Sequence, residues 1–468
     1  VRSKEFHVRL RRFRFVLVTL FVALAIGDPR AGNSTPKPWT AVEIGSFPSE
    51  PTGLYPMGAL IADAHGVFYG VTLDGGSNPD GTCDGGCGTV YALASSGLGN
   101  RVWTRTVLYA FKGYSSSDGS EPLAGVISDA SGALYGTTFQ GGISGPNGLA
   151  GVVYKLTPPA PGQTAWSESI LYEFSGPDGE LPAAALVMDA HGALYGTTQG
   201  GGSGGQGVVF SLTPPSPGGT TWTQTVLHAF SGGPDGSQPQ GSLLLDTHGD
   251  VYGTTSGGGG NGNGNVFELM PPASGQTAWT ENVLYAFSGG ADGKAPQSNL
   301  IADARGDLYG TASSGGADGD GVVFELRPSR AGGAWTERVL HTFAGGTDGA
   351  NPGNLVADPA GTLFGSTGQG GDPNCVVNPN GCGTAYKLTP GAHGWVELVL
   401  HAFAGGADGY YPGPMFWYRE TRARAAISNF ERGRPTSADA DDSRSALYGT
   451  TCCGGNANSA GTVYKLSH

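Results

Sequence analysis

The sequence predicts an all-β chain folded as a seven-bladed β-propeller, and three observations predict it. Glycine and proline are abundant, 84 and 31 of 468 residues, while charged residues make up 13%; this suits a chain of frequent turns and excludes a helix-rich one. Three phrases each recur seven times along the chain. Between them run short stretches of β-branched and aromatic residues bounded by Gly, Asp or Pro, the pattern of strands in a repeating sheet. At 38% hydrophobic and 10% aromatic, the chain has ample material for a core.

The phrases define the elements in order. The first, "[LVF]-[YF]-G", ends at Gly70, Gly136, Gly196, Gly253, Gly310, Gly365 and Gly449. The second, "G-x-[VA]-[YF]", begins at Gly88, Gly151, Gly207, Gly264, Gly321, Gly383 and Gly461. The third runs from Trp to Phe eight residues later, as in Trp39/Phe47, Trp103/Phe111 and Trp395/Phe403. In blade five, residues 300–304, 307–312, 321–327 and 335–343 read as four antiparallel strands, the content of a propeller blade. The chain opens on a lone Trp39–Phe47 strand and its last repeat stops at a third strand, "GTVYKLSH". The N-terminal strand is therefore expected to complete blade seven, which leaves no bare edge; an eight-bladed or open arrangement is the alternative.

Residues 1–25 read as an export signal, with Arg9, Arg11, Arg12 and Arg14 ahead of an apolar run from Phe15 to Ile26 that is short for a membrane span. Residues 26–37 form a linker, and 38–468 the propeller. Removing 1–25 takes the net charge from −13 to −18, which argues against nucleic acid and anionic lipid as partners. An exported monomer in the periplasm, at the cell surface or outside the cell is expected, with no transmembrane segment after signal removal.

The combination "LYGTT-x-x-GG", "G-x-V-[YF]-x-L-T-P", "W-[TS]-x-x-[VI]-L-[YH]-x-F" and "G-x-DG-x-x-P" resembles the GloVer tandem repeats of bacterial exported proteins, from Trp39 to His468. The resemblance implies a propeller-like exported protein; a more distant similarity is to propeller lactonases, none of whose catalytic motifs maps onto numbered positions here.

Six aspartates of "DG-x-x-P", Asp118, Asp178, Asp235, Asp292, Asp348 and Asp408, stand four residues before a Pro, with Thr52 in the remaining copy. Two readings apply. The carboxylates could ring the central channel and hold a hard cation such as calcium, or each could bond its own downstream N–H groups in an Asx-turn. His65, His191 and His248 occupy turns, and His228, His341 and His401 stand where other blades have Tyr109, Tyr172 and Tyr285. A G-x-S-x-G match at Gly201–Gly205 lacks the helix that a nucleophile elbow requires.

The blades differ most in their second-to-third loops, 11 residues between phrase glycines in blades three to five, 12 in blade seven, 15 in blade two and 18 in blades one and six. All six cysteines lie there: Cys83 and Cys87, Cys375 and Cys382, Cys452 and Cys453. Disulfides are the default in an exported chain, with 83–87 and 375–382 the simplest pairs and zinc the alternative. An atypical insertion at 413–441 offers Trp417, Arg419, Arg422 and Arg424 as ligand contacts. The leading functional expectation is a binding or scaffolding module for a glycan, cell-surface component or protein, its ligand face in the sector of blades six, seven, one and two. The alternative is a lactonase- or lyase-like enzyme using axial carboxylates and a bound cation.

Overall fold

A computed structural model describes residues 39–467 apart from 48–51, 77–80, 82, 84, 97–101, 114–117, 143–149, 330–332, 376, 393, 420–444 and 456–459. The expected export signal and linker lie outside the described residues. The chain forms seven antiparallel blades. Blade one consists of Leu54–Ala62, Phe68–Asp74, Thr89–Ser96 and Val102–Ala110, and blade six of Ala350–Ala357, Leu363–Gln369, Thr384–Gly391 and Gly394–Ala402. Blade seven combines Tyr410–Arg419, Ser445–Cys453 and Thr462–Ser467 with the N-terminal strand Thr40–Ser46. That strand runs antiparallel to the last one, from Thr40 opposite Ser467 to Ser46 opposite Thr462, so the ring closes as the phrase order predicts.

The repeated phrases are the seams between blades. Each terminal Phe of the Trp-to-Phe phrase is fully buried and meets, edge-on, the third-strand aromatic of the next blade. Phe111 meets Tyr154, Phe230 meets Phe267, Phe403 meets Tyr464, and Phe47 of the N-terminal strand meets Tyr91. Such pairs contribute about 0.5–1.5 kcal/mol beyond burial, so seven of them tie the circle. The phrase "LYG" needs its glycine because the third-strand ring crosses over it: a Cβ on Gly136 would lie 2.4 Å from Tyr154 Oη.

First strands line the axis. Neighbouring ones approach so closely that a Cβ on Gly58 of blade one would lie 2.2 Å from the Gly125 nitrogen of blade two. Fourth strands are outermost, and each carries a bulge near its end, as between Val153 and Tyr154 where Leu171 is the extra residue. A bulge re-aims the residues beyond it; here it turns the ring of Tyr172 and its copies toward the loop that follows.

Blade seven differs from the expected boundaries. Its first strand runs Tyr410–Arg419, with Met415 opposite Gly449 and Arg419 opposite Ser445, so the departure from the repeat begins after Arg419 rather than at 413. Met-Phe-Trp-Tyr is apolar enough to fill the inner-strand register. Met415 is buried, Phe416 packs edge-on against Phe68, and Trp417 stacks on Phe364 of blade six at 5.1 Å.

Candidate functional site

Each link between blades crosses the face that also carries the second-to-third loops, and there every blade departs from ordinary backbone geometry. Tyr55, Glu121, Leu181, Gln238, Ala295, Asn351 and Tyr411 have φ between 53° and 59°. All stand immediately before the proline of "DG-x-x-P". Non-glycine residues pay for this region, and the surroundings impose it. The N–H of each donates to a carbonyl just before the third strand of the preceding blade: Tyr55 to Ala460, Glu121 to Cys87, Leu181 to Ala150, Gln238 to Gln206, Ala295 to Asn263, Asn351 to Asp320 and Tyr411 to Cys382, at 2.7–3.1 Å. The following proline then presses on that blade's glycine, where a Cβ on Gly461 would lie 2.3 Å from Pro56 Cδ. Two phrases that are distant in sequence thus form one interlock, and it places the seven left-handed residues where the innermost strands begin, at the mouth of the channel.

Three disulfides form: Cys83–Cys87 and Cys375–Cys382, the two pairs their spacing suggests, and Cys452–Cys453, a pairing the sequence left open. They brace the same interlock. Cys87 and Cys382 are themselves the residues whose carbonyls hold Glu121 and Tyr411. Cys453 pairs with Tyr410, next to Tyr411. Cross-links therefore concentrate on the mouth in blades six, seven and one.

The six aspartates sit elsewhere. Each reaches back to the outermost strand of its own blade rather than to the axis. Tyr109 Oη donates to Asp118 at 2.9 Å, Tyr285 Oη to Asp292 at 3.0 Å, and Tyr172 Oη to Asp178. His401 Nε2 lies 3.0 Å from Asp408, and His228 and His341 lie 3.4 and 3.3 Å from Asp235 and Asp348. Upstream N–H groups complete the arrangement: Ser288 donates to Asp292 at 2.7 Å and Ala404 to Asp408 at 3.0 Å. The contacts of the six aspartates thus lie at the outer corners of the blades. The ring contacts arise because the bulge brings the strand-four side chain within reach, and Asp118 Oδ1 also accepts the downstream Gly119 N–H at 2.8 Å. These bonds hold Asp235 and Asp292 below the usual carboxylate range despite burial, whereas burial prevails at Asp118 and raises it.

A second carboxylate from the next blade's fourth strand faces four of these corners. Glu168, Glu281, Glu337 and Glu397 are each raised to about 7, by burial first and then by Asp118, Asp235, Asp292 and Asp348. Each keeps a buried Oε1 without a protein hydrogen-bond partner. In blade three the corresponding residue is Gln224, whose Nε2 donates to the Asp178 carbonyl at 3.1 Å.

Of the expected ligand contacts, Trp417 is committed to the seam with blade six. Arg419 ends the innermost strand opposite Ser445, at the end of the sheet that carries the "D-A-H-G" turns in other blades. The chain therefore departs there from the face opposite the disulfides. Arg422 and Arg424 lie outside the described residues.

Two features escaped the sequence reading. Asp246, His248 and Asp250 gather ligand atoms within 4.8 Å of one another, although Asp246 Oδ1 already accepts the His248 and Asp250 N–H groups. The third-strand aromatic is Tyr in blades one, two, six and seven and Phe in blades three, four and five. The hydroxyls of Tyr91, Tyr154, Tyr386 and Tyr464 are buried without a protein partner. This division was visible in the phrase "G-x-[VA]-[YF]" and coincides with the sector of long loops and cysteines.

The family model of the Gloeobacter/Verrucomicrobia repeat matches residues 56–280 and 216–421. No curated protein matches the sequence. Among solved structures, the chain is similar to a PQQ-bound aldose sugar dehydrogenase from Streptomyces coelicolor, with 12% identity, TM-score 0.41, and coverage of 71% of this chain and 93% of that one. It is also similar to a gluconolactonase from Xanthomonas campestris, with 15% identity, TM-score 0.36, and coverage of 69% and 85%. A third is the calcium structure of a Trichoderma reesei carbohydrate-active enzyme of family AA12, with 12% identity, TM-score 0.37, and coverage of 70% and 93%. At these identities the likeness is one of fold.

Proposed function

Because the chain belongs to the Gloeobacter/Verrucomicrobia repeat family, whose repeats here build a closed propeller, we propose that it is an exported binding or scaffolding module. Its ligand face is the one that carries the blade-to-blade and second-to-third loops, in the sector of blades six, seven, one and two. The observation that carries this reading is the placement of all three disulfides on that face, in blades six, seven and one. Disulfides suit an oxidising compartment, and rigid, extended loops on a propeller scaffold are where recognition is commonly built. A lactonase-like mechanism through axial carboxylates would need the six aspartates to converge. Their bonds to outer-strand rings favour binding instead.

The test uses a photo-crosslinking residue placed at Asn380 in the blade-six loop or at Asp318 in the blade-five loop of the same face. The protein is presented to immobilised polysaccharides and to an outer-surface protein fraction. Crosslinks concentrated at position 380 are expected, and equal or greater yield at 318 would overturn the sector assignment.

A further inference from the structure

Among the described residues, the positive-φ positions outside the seven at the channel mouth are all glycines. The chain has 84 glycines to spend, yet it places none at the positions where glycine would remove the most strain. Tyr, Glu, Leu, Gln, Ala, Asn and Tyr stand there instead, nearly a different side chain in every blade. The interlock needs only the backbone N–H, which glycine would supply equally well. Side chains held at a conformational cost and varied from copy to copy point to selection for what they present.

We infer that this crown of pre-proline residues is the ligand-reading element, and that its Tyr411, Tyr55 and Glu121 arc binds a neutral oligosaccharide. The inference deepens the binding reading above and rests on it. Tyr411 is 39% exposed, and its hydroxyl accepts a hydrogen bond from Asn378 Nδ2 at 2.9 Å, inside the disulfide-closed loop of blade six. The ring is therefore fixed, with Tyr410 tilted against it at 5.4 Å. Asn351 Nδ2 and Tyr411 Cδ1 would both lie within 4 Å of a Cβ on Gly368, so an amide and an aromatic ring share one patch of backbone. Glu121, two blades on, is oriented by Gln140 Nε2 at 2.9 Å. A pinned aromatic ring beside an amide, with an oriented carboxylate two blades on in the same crown, suits an extended chain of pyranoses, each of which offers a C–H face to stack and hydroxyls to pair. The net charge of −13 disfavours an anionic glycan.

The experiment titrates the full chain with cellohexaose, maltohexaose, mannohexaose and an oligogalacturonate by calorimetry. It compares Tyr411→Gly, Tyr55→Gly and, as a control in blade three, Leu181→Gly. At least one neutral hexaose is expected to bind. Both Tyr→Gly changes should weaken it tenfold or more while leaving the melting temperature equal or higher, and Leu181→Gly should leave binding unchanged. Tyr→Gly variants that lose stability and bind normally would make the crown merely structural and overturn the inference. Absence of binding by every neutral hexaose, with crosslinking still concentrated at position 380, would overturn the saccharide inference and leave the binding face standing. Crosslinking at 318 would remove both.

Discussion

The Arg105 guanidinium lies over the Phe47 ring, 4.2 Å from its centre, and donates from Nη1 to the Ser46 carbonyl at 2.7 Å. Its Nη2 reaches Thr52 Oγ1 at 2.5 Å. At this one seam a cation and a hydroxyl replace the paired acids found at four others, and the seam joins the N-terminal strand, which completes blade seven, to blade one. Arg105→Ala should destabilise the fold by about 2 kcal/mol, the sum expected for a half-buried cation–π contact and charge-assisted hydrogen bonds. Arg105→Lys should recover only part, because a single ammonium cannot span both acceptors. Urea unfolding measures both, and an alanine variant as stable as the parent would show that the closure does not depend on this contact.

Phe47 tests the same closure through packing. It is fully buried against Tyr91, as Phe287 is against Phe324 in the middle of the chain. If the N-terminal strand is an integral seventh seam, Phe47→Ala and Phe287→Ala should cost alike, about 3–5 kcal/mol each. A far smaller loss at Phe47 would mean that the first strand can peel away while the ring persists.

The closure was legible because phrase counting alone reveals an unmatched fourth strand at one end and an unmatched third strand at the other. The crown was not. A residue before proline is ordinarily extended, and nothing in Tyr55 or Leu181 signals a left-handed backbone; only the carbonyl supplied by the preceding blade imposes it. For the aspartates the residue pattern left two arrangements open, an axial ring and Asx-turns, for a related reason. Their loop does lead to the axis, but a fourth-strand bulge, invisible in residue identity, turns Tyr109 and its copies back to hold them at the rim. Trp417, offered as a ligand contact, stands in a first strand, Tyr410–Arg419, that the irregular spacing after it disguises in the sequence.

Four third-strand tyrosines bury hydroxyls that have no protein partner, and blades three to five show that phenylalanine fits the same position. Burial raises the phenols of Tyr91, Tyr154, Tyr386 and Tyr464 well above their ordinary range, so they stay neutral. Replacing an unsatisfied buried hydroxyl by hydrogen should be neutral or stabilising by up to about 1 kcal/mol. Tyr154→Phe and Tyr386→Phe are therefore expected to keep or raise the melting temperature in calorimetry. A clear drop would instead mean that the hydroxyls bind internal water, which makes the blades of this sector wetter than the rest.

The seam glutamates make stability depend on pH in an unusual direction. Glu168, Glu281, Glu337 and Glu397 release their protons near 7 in the folded chain, whereas an unfolded glutamate does so near about 4.3. Between these values the folded state holds protons that the unfolded state has lost, so their contribution is complete at the acid end and disappears as pH rises through 7. His228 and His341, lowered chiefly by burial, act in the opposite sense below about 6.5, which leaves the interval from about 6.5 to 7.5 to the glutamates. The melting temperature should fall across that interval. Replacing all four by Gln, the residue that blade three already carries as Gln224, should flatten the fall and raise stability at pH 8 without loss of fold. A profile equally steep in the fourfold variant would place the titrating groups elsewhere.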